Sequence, residues 1–390
     1  MKQILPKLKQ LNSHLSFLRK CFTKGGFRHV VRYINGIIAL NKKTVKQISK
    51  ASVDDVDQSL LNRILNGATF KQNELEERYI KKIEYFTKGY EISLIFDDTL
   101  VERNGKKVEE AQSHKDHTNN GFLTGHEFFT SVVYTSAIQL PLLPKLYSKN
   151  TDSKIEMASG LIGFVIERMK IHNVIFDSWY SDKNIIKKCM TKGIRVVCGI
   201  KANRNISLKR GEWLNLGEFS KDIADEEFEP YLIDEKEYKI ADYAVKLNGI
   251  PKVKMLVSYE WNDKEERYNK AFHLISTNRK DTIAQIIRRY NARWFIETYH
   301  RDIKQNLGFA KLFLRKKEGI VRHAIFSSIA YAALKIFMFL RGLSMTIGEC
   351  CAYLQDREMD DFIREIIEIE DKETRIKTFE EVFIRKSAKV

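Results

Sequence analysis

Residues 1–50 contain no aspartate or glutamate, and the whole chain is poor in proline, in paired cysteine and in apolar runs of bilayer length. Each shortage excludes something. Five prolines, no Gly/Ser-rich stretch and no internal repeat argue against flexible linkers, polyproline tracts and solenoid arrays. The five cysteines (Cys21, Cys189, Cys198, Cys350 and Cys351) form no CxxC pair and no metal-type spacing with histidine. Inert thiols in a reducing compartment are therefore expected, not a disulfide scaffold or a zinc module. The most apolar stretch, 324–340, is broken by Ser327, Ser328 and Lys335 and falls short of the ~20 residues of a membrane span. It reads as a buried core helix. No secretory signal is visible, and the basic N-terminus has too little serine and too much lysine relative to arginine for a transit peptide. The expected location is cytoplasmic.

What is present is a folding composition with a strong positive bias. Of 390 residues, 43% are hydrophobic and 30% charged, enough to bury a sizeable core. The net charge is +16 and the pI about 9.4, with twelve Lys/Arg in the acid-free first fifty residues. Such a block attracts polyanions, and nucleic acid is the commonest large one; a merely solvated basic surface is the alternative.

Periodicity divides the chain. Residues 1–85 carry apolar positions at helical spacing, as in Leu75, Tyr79, Ile80 and Ile83, and form a basic helical N-terminal region expected to bind DNA. From 86 to 203 the pattern is α/β. Strands are expected over Glu91–Asp98, Phe128–Ile138 and Pro141–Ser148, with an Asn104-Gly105 turn after the first. A helix over Lys154–Lys170, a strand over Asn173–Asp177, a helix capped by Ser181 or Asp182, and a strand over Ile194–Ile200 follow. Residues 204–266 alternate in the β manner around Asn248-Gly249 and read as a β-rich insertion. The core resumes over 267–345 with a long helix from a cap near Asp281 to Gly308, and 346–390 is a helical C-terminal region. The fold class is α/β with a mixed sheet.

Two apolar strands end in acids, Asp97-Asp98 after SLIF and Asp177 after NVIF. Carboxylates at strand ends face the space beyond a sheet, where α/β ligand sites lie, and hard divalent cations such as Mg²⁺ require oxygen ligands. Taken singly, each aspartate is as well explained by a turn or a helix cap. The long helix adds a sharper signal: Tyr290, Arg293, Glu297 and Lys304 fall within about a 60° arc of an ideal helix. A carboxylate flanked by a guanidinium and an ammonium can ligate a metal while its neighbours hold phosphates. An ordinary solvated face with an Arg293–Glu297 pair gives the same spacing.

The order of these features resembles the DDE insertion-sequence transposases of bacteria, in the branch marked by Tyr-x2-Arg-x3-Glu-x6-Lys; Asp-Asp-Thr (97–99) and Phe-Asp (176–177) precede it as that family requires. The resemblance covers roughly residues 30–340 and implies a ribonuclease H-like core interrupted by the insertion. It implies Asp98, the acid directly before Thr99, together with Asp177 and Glu297, as catalytic ligands of two Mg²⁺ ions, with Mn²⁺ as a substitute. Tyr290, Arg293 and Lys304 inherit contacts to transposon-end phosphates. The implied reaction is two-metal phosphoryl chemistry: cleavage of the ends through a DNA hairpin, then joining to target DNA, in a synaptic homodimer within a bacterial, nucleoid-associated setting. Hairpin formation favours a flipped base stacked on an aromatic ring, for which Trp261 is the candidate, although a structural tryptophan explains it too. Lys201, Arg204, Lys209 and Arg210 at the start of the insertion form a candidate phosphate patch, with a solvated loop as the alternative. His114, His117 and His126 fit no standard zinc spacing and receive no catalytic role. Two other readings stay open: a metal-dependent nuclease without joining, and a domesticated DNA-binding protein that keeps the fold alone.

Overall fold

The computed structural model describes all residues except 1–4, 6–7, 53–55, 68–69, 104, 106, 117–120, 312–313 and 381–390. The expected Asn104-Gly105 turn and His117 thus fall wholly or partly outside the described residues.

The N-terminal region is helical: α1 (Lys9–Asn12), a 3₁₀ stretch (Ser13–Lys20), α2 (Lys24–Ala39), α3 (Val45–Ala51), α4 (Gln58–Asn66) and α5 (Gln72–Thr87). Thr23, Thr44 and Asp57 supply side-chain caps to α2, α3 and α4, each satisfying a backbone N–H that the first turn leaves open. Then come β1 (Ser93–Glu102), β2 (Gln112–Asp116), β3 (Gly121–Tyr134), β4 (Gln139–Pro141), β5 (Lys145–Tyr147), α6 (Lys154–Ile166), β6 (Asn173–Phe176), α7 (Lys183–Thr191) and β7 (Arg195–Gly199). The intervening segment holds β8 (Asn205–Ser207), β9 (Leu214–Asn215), α8 (Leu216–Phe219), β10 (Glu229–Ile233), β11 (Lys236–Leu247), β12 (Ile250–Asn262) and β13 (Arg267–Tyr268). β14 (Phe272–Ser276), α9 (Ile283–Asn291), α10 (Trp294–Asn306), α11 (Lys317–Arg341), α12 (Ile347–Ile367) and α13 (Lys372–Phe379) complete the chain.

The sheet runs β2-β3-β1-β6-β7-β14-β12-β11-β8-β9. β3 is antiparallel to β1, whereas β1, β6 and β7 are mutually parallel. That order and those directions, with helices between β1, β6 and β7, are the ribonuclease H-like arrangement, so the fold is α/β with helical additions at both ends. Several features depart from the sequence expectation: β3 begins at Gly121 rather than Phe128, and β4 and β5 replace the single strand expected over Pro141–Ser148. β2 is an edge strand whose polar residues, Gln112–Asp116, carry no apolar alternation. The β-rich insertion also does not stand apart: β12 pairs with β14, and β14 with β7, so β11 and β12 extend the main sheet.

α11 is long and apolar enough to cross a membrane by length and composition, yet most of it is buried within the fold. It packs against α2, α4, α12 and β4, and its polar side chains are tied down inside. Tyr33 and His323 share a hydrogen bond of 2.8 Å, and Arg322 donates to the Ile64 carbonyl at 2.6 Å. Buried polar groups so satisfied cost little, which is how the N-terminal helices become part of one core.

Candidate active site

The geometry of the candidate site follows from strand phase. β1 and β6 pair in register, Ser93 with Asn173, Leu94 with Val174 and Ile95 with Ile175. One step on, Phe96 and Phe176 stack at 5.1 Å on one face, where Phe96 also meets the edge of Tyr180. Because side chains alternate along a strand, the next step sets Asp97 and Asp177 together on the opposite face. The antiparallel register with β3 agrees: Thr130, the partner of Asp97, meets His300 of α10.

Asp98, expected as the first acid, is turned away from that face by the same alternation. Its Oδ2 lies 2.6 Å from Lys154 Nζ of α6, and the Tyr180 hydroxyl donates to its Oδ1 at 3.1 Å. Lys154 also pairs with Glu127, which contacts His114 Nδ1 at 3.0 Å. In this buried group, desolvation pushes Glu127 up to about 7, aided by the Asp98 charge. Burial opposes ionisation of Asp98 as well, but the contacts to Glu127 and Lys154 hold its carboxyl below the usual range. Reverse-face Asp98 is thus ionised and already paired with Lys154.

Asp97 is in the opposite condition. Burial, then the charges of Asp98 and Asp177, push its carboxyl up to about 7. Burial raises Asp177 too, against the N–H groups of Trp179 and Tyr180 that its Oδ1 accepts at 3.0 and 3.3 Å. Across from them stands α10. Arg293 Nη1 lies 3.4 Å from Asp97 Oδ2, and its Nη2 donates to Glu297. One guanidinium therefore bridges the strand acid and the helix acid, while its buried Nε has no hydrogen-bond partner among the described residues.

The expected single helix is broken here. α9 ends at Asn291, and hydrogen bonds tighten to i→i+3 spacing: Arg293 N to Tyr290 O at 2.9 Å and Ile296 N to Arg293 O at 3.1 Å. The break leaves Arg293 leaning 5.9 Å from the Tyr290 ring, which packs on Phe272. Burial raises the Tyr290 hydroxyl, so it stays protonated. Lys304, in the last turn of α10, is half-buried with its ammonium lowered by desolvation, and among the described residues it has no carboxylate partner. His300 Nε2 and the Thr130 hydroxyl lie 2.6 Å apart, and Thr130 donates to the Asp97 carbonyl at 3.0 Å. Burial pushes His300 down to about 3, so this strut under Asp97 is neutral.

The remaining expected residues lie elsewhere. Lys201 and Arg204 are exposed beyond β7, with Arg204 Nη2 donating to the Ser181 carbonyl at 2.6 Å. Trp261 is half-buried, edge-on to Tyr268 at 5.1 Å, with its pairing inside the insertion. Trp179, two residues past Asp177, is instead 44% exposed. Sequence reasoning named Asp97 beside Asp98 but preferred Asp98, and it missed Lys154, Thr130 and His300. For Asp97 the signal was there: in phase, Phe96-Asp97 matches Phe176-Asp177.

Among the described residues, no three His, Cys, Asp or Glu groups already converge as a metal cage. The donor set nevertheless fits divalent cations. Asp97, Asp177 and Glu297 offer only hard oxygen ligands, and the Arg293 guanidinium stands where positive charge is needed between Asp97 and Glu297.

The archaeal ISC1217 transposase family matches residues 147–342. The chain belongs to that transposase family. The match includes Asp177 and the Tyr290–Lys304 segment and leaves β1 outside. The family is described as archaeal, where the sequence resemblance pointed to bacterial elements. No curated protein matches the transposase. Among solved structures it is similar to the piggyBac transposase synaptic complex with hairpin DNA, with a TM-score of 0.48 and 11% identity, covering 96% of this chain and 81% of that one.

Proposed function

We propose that this transposase is a DDE enzyme that cleaves the ends of a mobile element and joins them to target DNA, with Asp97, Asp177 and Glu297 as its acids. The observation that carries the reading is the bridge of Arg293 between Asp97 and Glu297, on the face that Asp97 shares with Asp177. The three carboxylates would hold two divalent ions, Mg²⁺ or Mn²⁺. When bound, such ions activate the attacking oxygen and stabilise the leaving one.

The protein's own part is positioning and charge compensation. Asp177 is fixed by two backbone N–H groups, and Asp97 by Thr130 and His300 behind its carbonyl. Arg293 is the natural phosphate clamp, since a planar guanidinium can grip a phosphate through two hydrogen bonds. Lys304 continues the same helix stripe with a free ammonium, and the Tyr290 ring steadies the guanidinium from one side. A hairpin step and a synaptic homodimer extend this reading. For a flipped base, exposed Trp179 beside Asp177 is better situated than Trp261.

Incubating the protein with end DNA, a target plasmid and Mg²⁺ tests the reading. Cleavage and joining are expected, with Asp177→Ala and Glu297→Ala abolishing both while end binding persists. Cleavage without joining would make the protein a nuclease; a gel shift without cleavage would make it a binding protein alone. Full cleavage by either variant would remove the active-site assignment.

A further inference from the structure

A second charged surface lies on the sheet face opposite α10, where α7 packs beside α6. Lys188 of α7 is anchored to the Ser159 carbonyl at 2.6 Å. Lys183 and Lys187, one turn apart on α7, are exposed. The β11–β12 turn folds against them: a Cβ at Gly249 would lie 3.6 Å from both Lys183 Cδ and Lys187 Nζ. On the strands flanking that turn, exposed Lys246 and Lys252 add two cations, and pairing of Lys246 with Ser207 brings Lys209 alongside. Arg204, bonded to the Ser181 carbonyl, connects this group to the start of α7, a short step along the chain from Asp177.

Among the described residues none of these six cations (Lys183, Lys187, Arg204, Lys209, Lys246 and Lys252) has a carboxylate partner. Other cations of the segment are paired, among them Lys254 with Asp242 at 3.0 Å and Lys236 with Glu260 at 2.6 Å. Along α7 and its covering turn these six cations therefore stand without counter-ions among the described residues. Like charges gathered without counter-ions repel one another and favour an extended polyanion.

We propose that this surface binds the phosphate backbone of duplex DNA without regard to sequence, and that it holds the DNA that receives the element. The identification of that duplex rests on the function proposed above. All but Arg204 are lysine ammoniums on flexible stems, which grip phosphates as point charges and read no base edges. Of the DNAs that a joining enzyme handles, the receiving duplex most needs a grip of that kind. Its near end, where Arg204 meets the Ser181 carbonyl, lies four residues along the chain from Asp177.

The test is a quadruple variant, Lys183→Gln with Lys187→Gln, Lys246→Gln and Lys252→Gln, beside the same four positions changed to Arg. Binding to a random-sequence duplex is followed over a salt series by fluorescence anisotropy. The Gln variant is expected to bind at least about tenfold more weakly at low salt. Its slope of log K against log salt should fall by about 3.6, at roughly 0.9 for each of four phosphates left without its lysine. The Arg variant should keep both. Joining of pre-cleaved ends should drop with the binding, and cleavage at the ends should persist. Unchanged random-duplex affinity and slope in the Gln variant would overturn the proposal. An equal loss of end cleavage would overturn the assignment to receiving DNA. The binding arm needs no catalysis, so its failure is separate from that of the active-site reading, which the Asp177→Ala cleavage assay decides.

Discussion

Replacing Asp97 by asparagine should remove a pH dependence of stability that the wild-type chain carries in the absence of metal. The Asp97 carboxyl is raised from 3.8 to about 7 by burial and by its acidic neighbours. An aspartate in the unfolded chain gives up its proton near 3.8, whereas the native one keeps it to about 7. Between these values the native state binds the extra proton, so stability falls as pH rises through the window and levels off above it. At about 1.4 kcal/mol per pH unit, the step from pH 5 to pH 8 costs on the order of 3 kcal/mol. Denaturant unfolding in EDTA at the two pH values, for wild type and Asp97→Asn, reads this difference directly. Glu127 is also raised to about 7, but it is common to both proteins and cancels. Wild type should lose roughly 3 kcal/mol more than the variant, and millimolar Mg²⁺ at pH 8 should return much of it to wild type alone. Identical pH dependence in the two proteins would refute the placement of Asp97 among carboxylates.

Two further outcomes follow from the same geometry. Arg293→Gln removes the cation bridging Asp97 and Glu297. Titrated with Mn²⁺ at pH 8.5 without DNA, this variant should bind the ion about tenfold more tightly, a gain of ~1.4 kcal/mol. It should also bind end DNA more weakly and with a shallower salt slope; unchanged ion affinity would contradict the bridge. Lys154→Met strands Asp98 and Glu127 without their shared cation. Removing one partner of a buried pair costs about 3–5 kcal/mol, and Asp98→Asn in the same chain should recover part of that in a denaturation assay. No loss in the single variant would show that Lys154 is not their counter-ion.

The ends of the two central strands were readable because a short apolar run closed by an acid suits a buried strand reaching the sheet edge and little else. Which face Asp97 and Asp98 each occupy was readable too, but only by phase. Phe96 and Phe176 share one face, so the acids one step on share the other; a rule keyed to the following threonine selects the reverse face. The helix stripe was legible as spacing, although its break at Ala292 and Arg293 was not, since neither residue disfavours a helix. β2 escaped because an edge strand need not alternate, and its Gln112–Asp116 sequence is polar throughout. The extension of the sheet by β11 and β12 depends on pairing through β14, a long-range contact that local periodicity does not encode. Lys154 and His300 were hidden for the same reason: each meets its partner across more than fifty residues of chain.

The most direct measurement is the anomalous signal of Mn²⁺ in crystals of the protein bound to end DNA. The account predicts peaks within coordination distance of Asp97, Asp177 and Glu297, with Arg293 moved onto a phosphate and Asp98 still bound to Lys154. Manganese ligated by Asp98 in place of Asp97, or peaks away from all three acids, would contradict it.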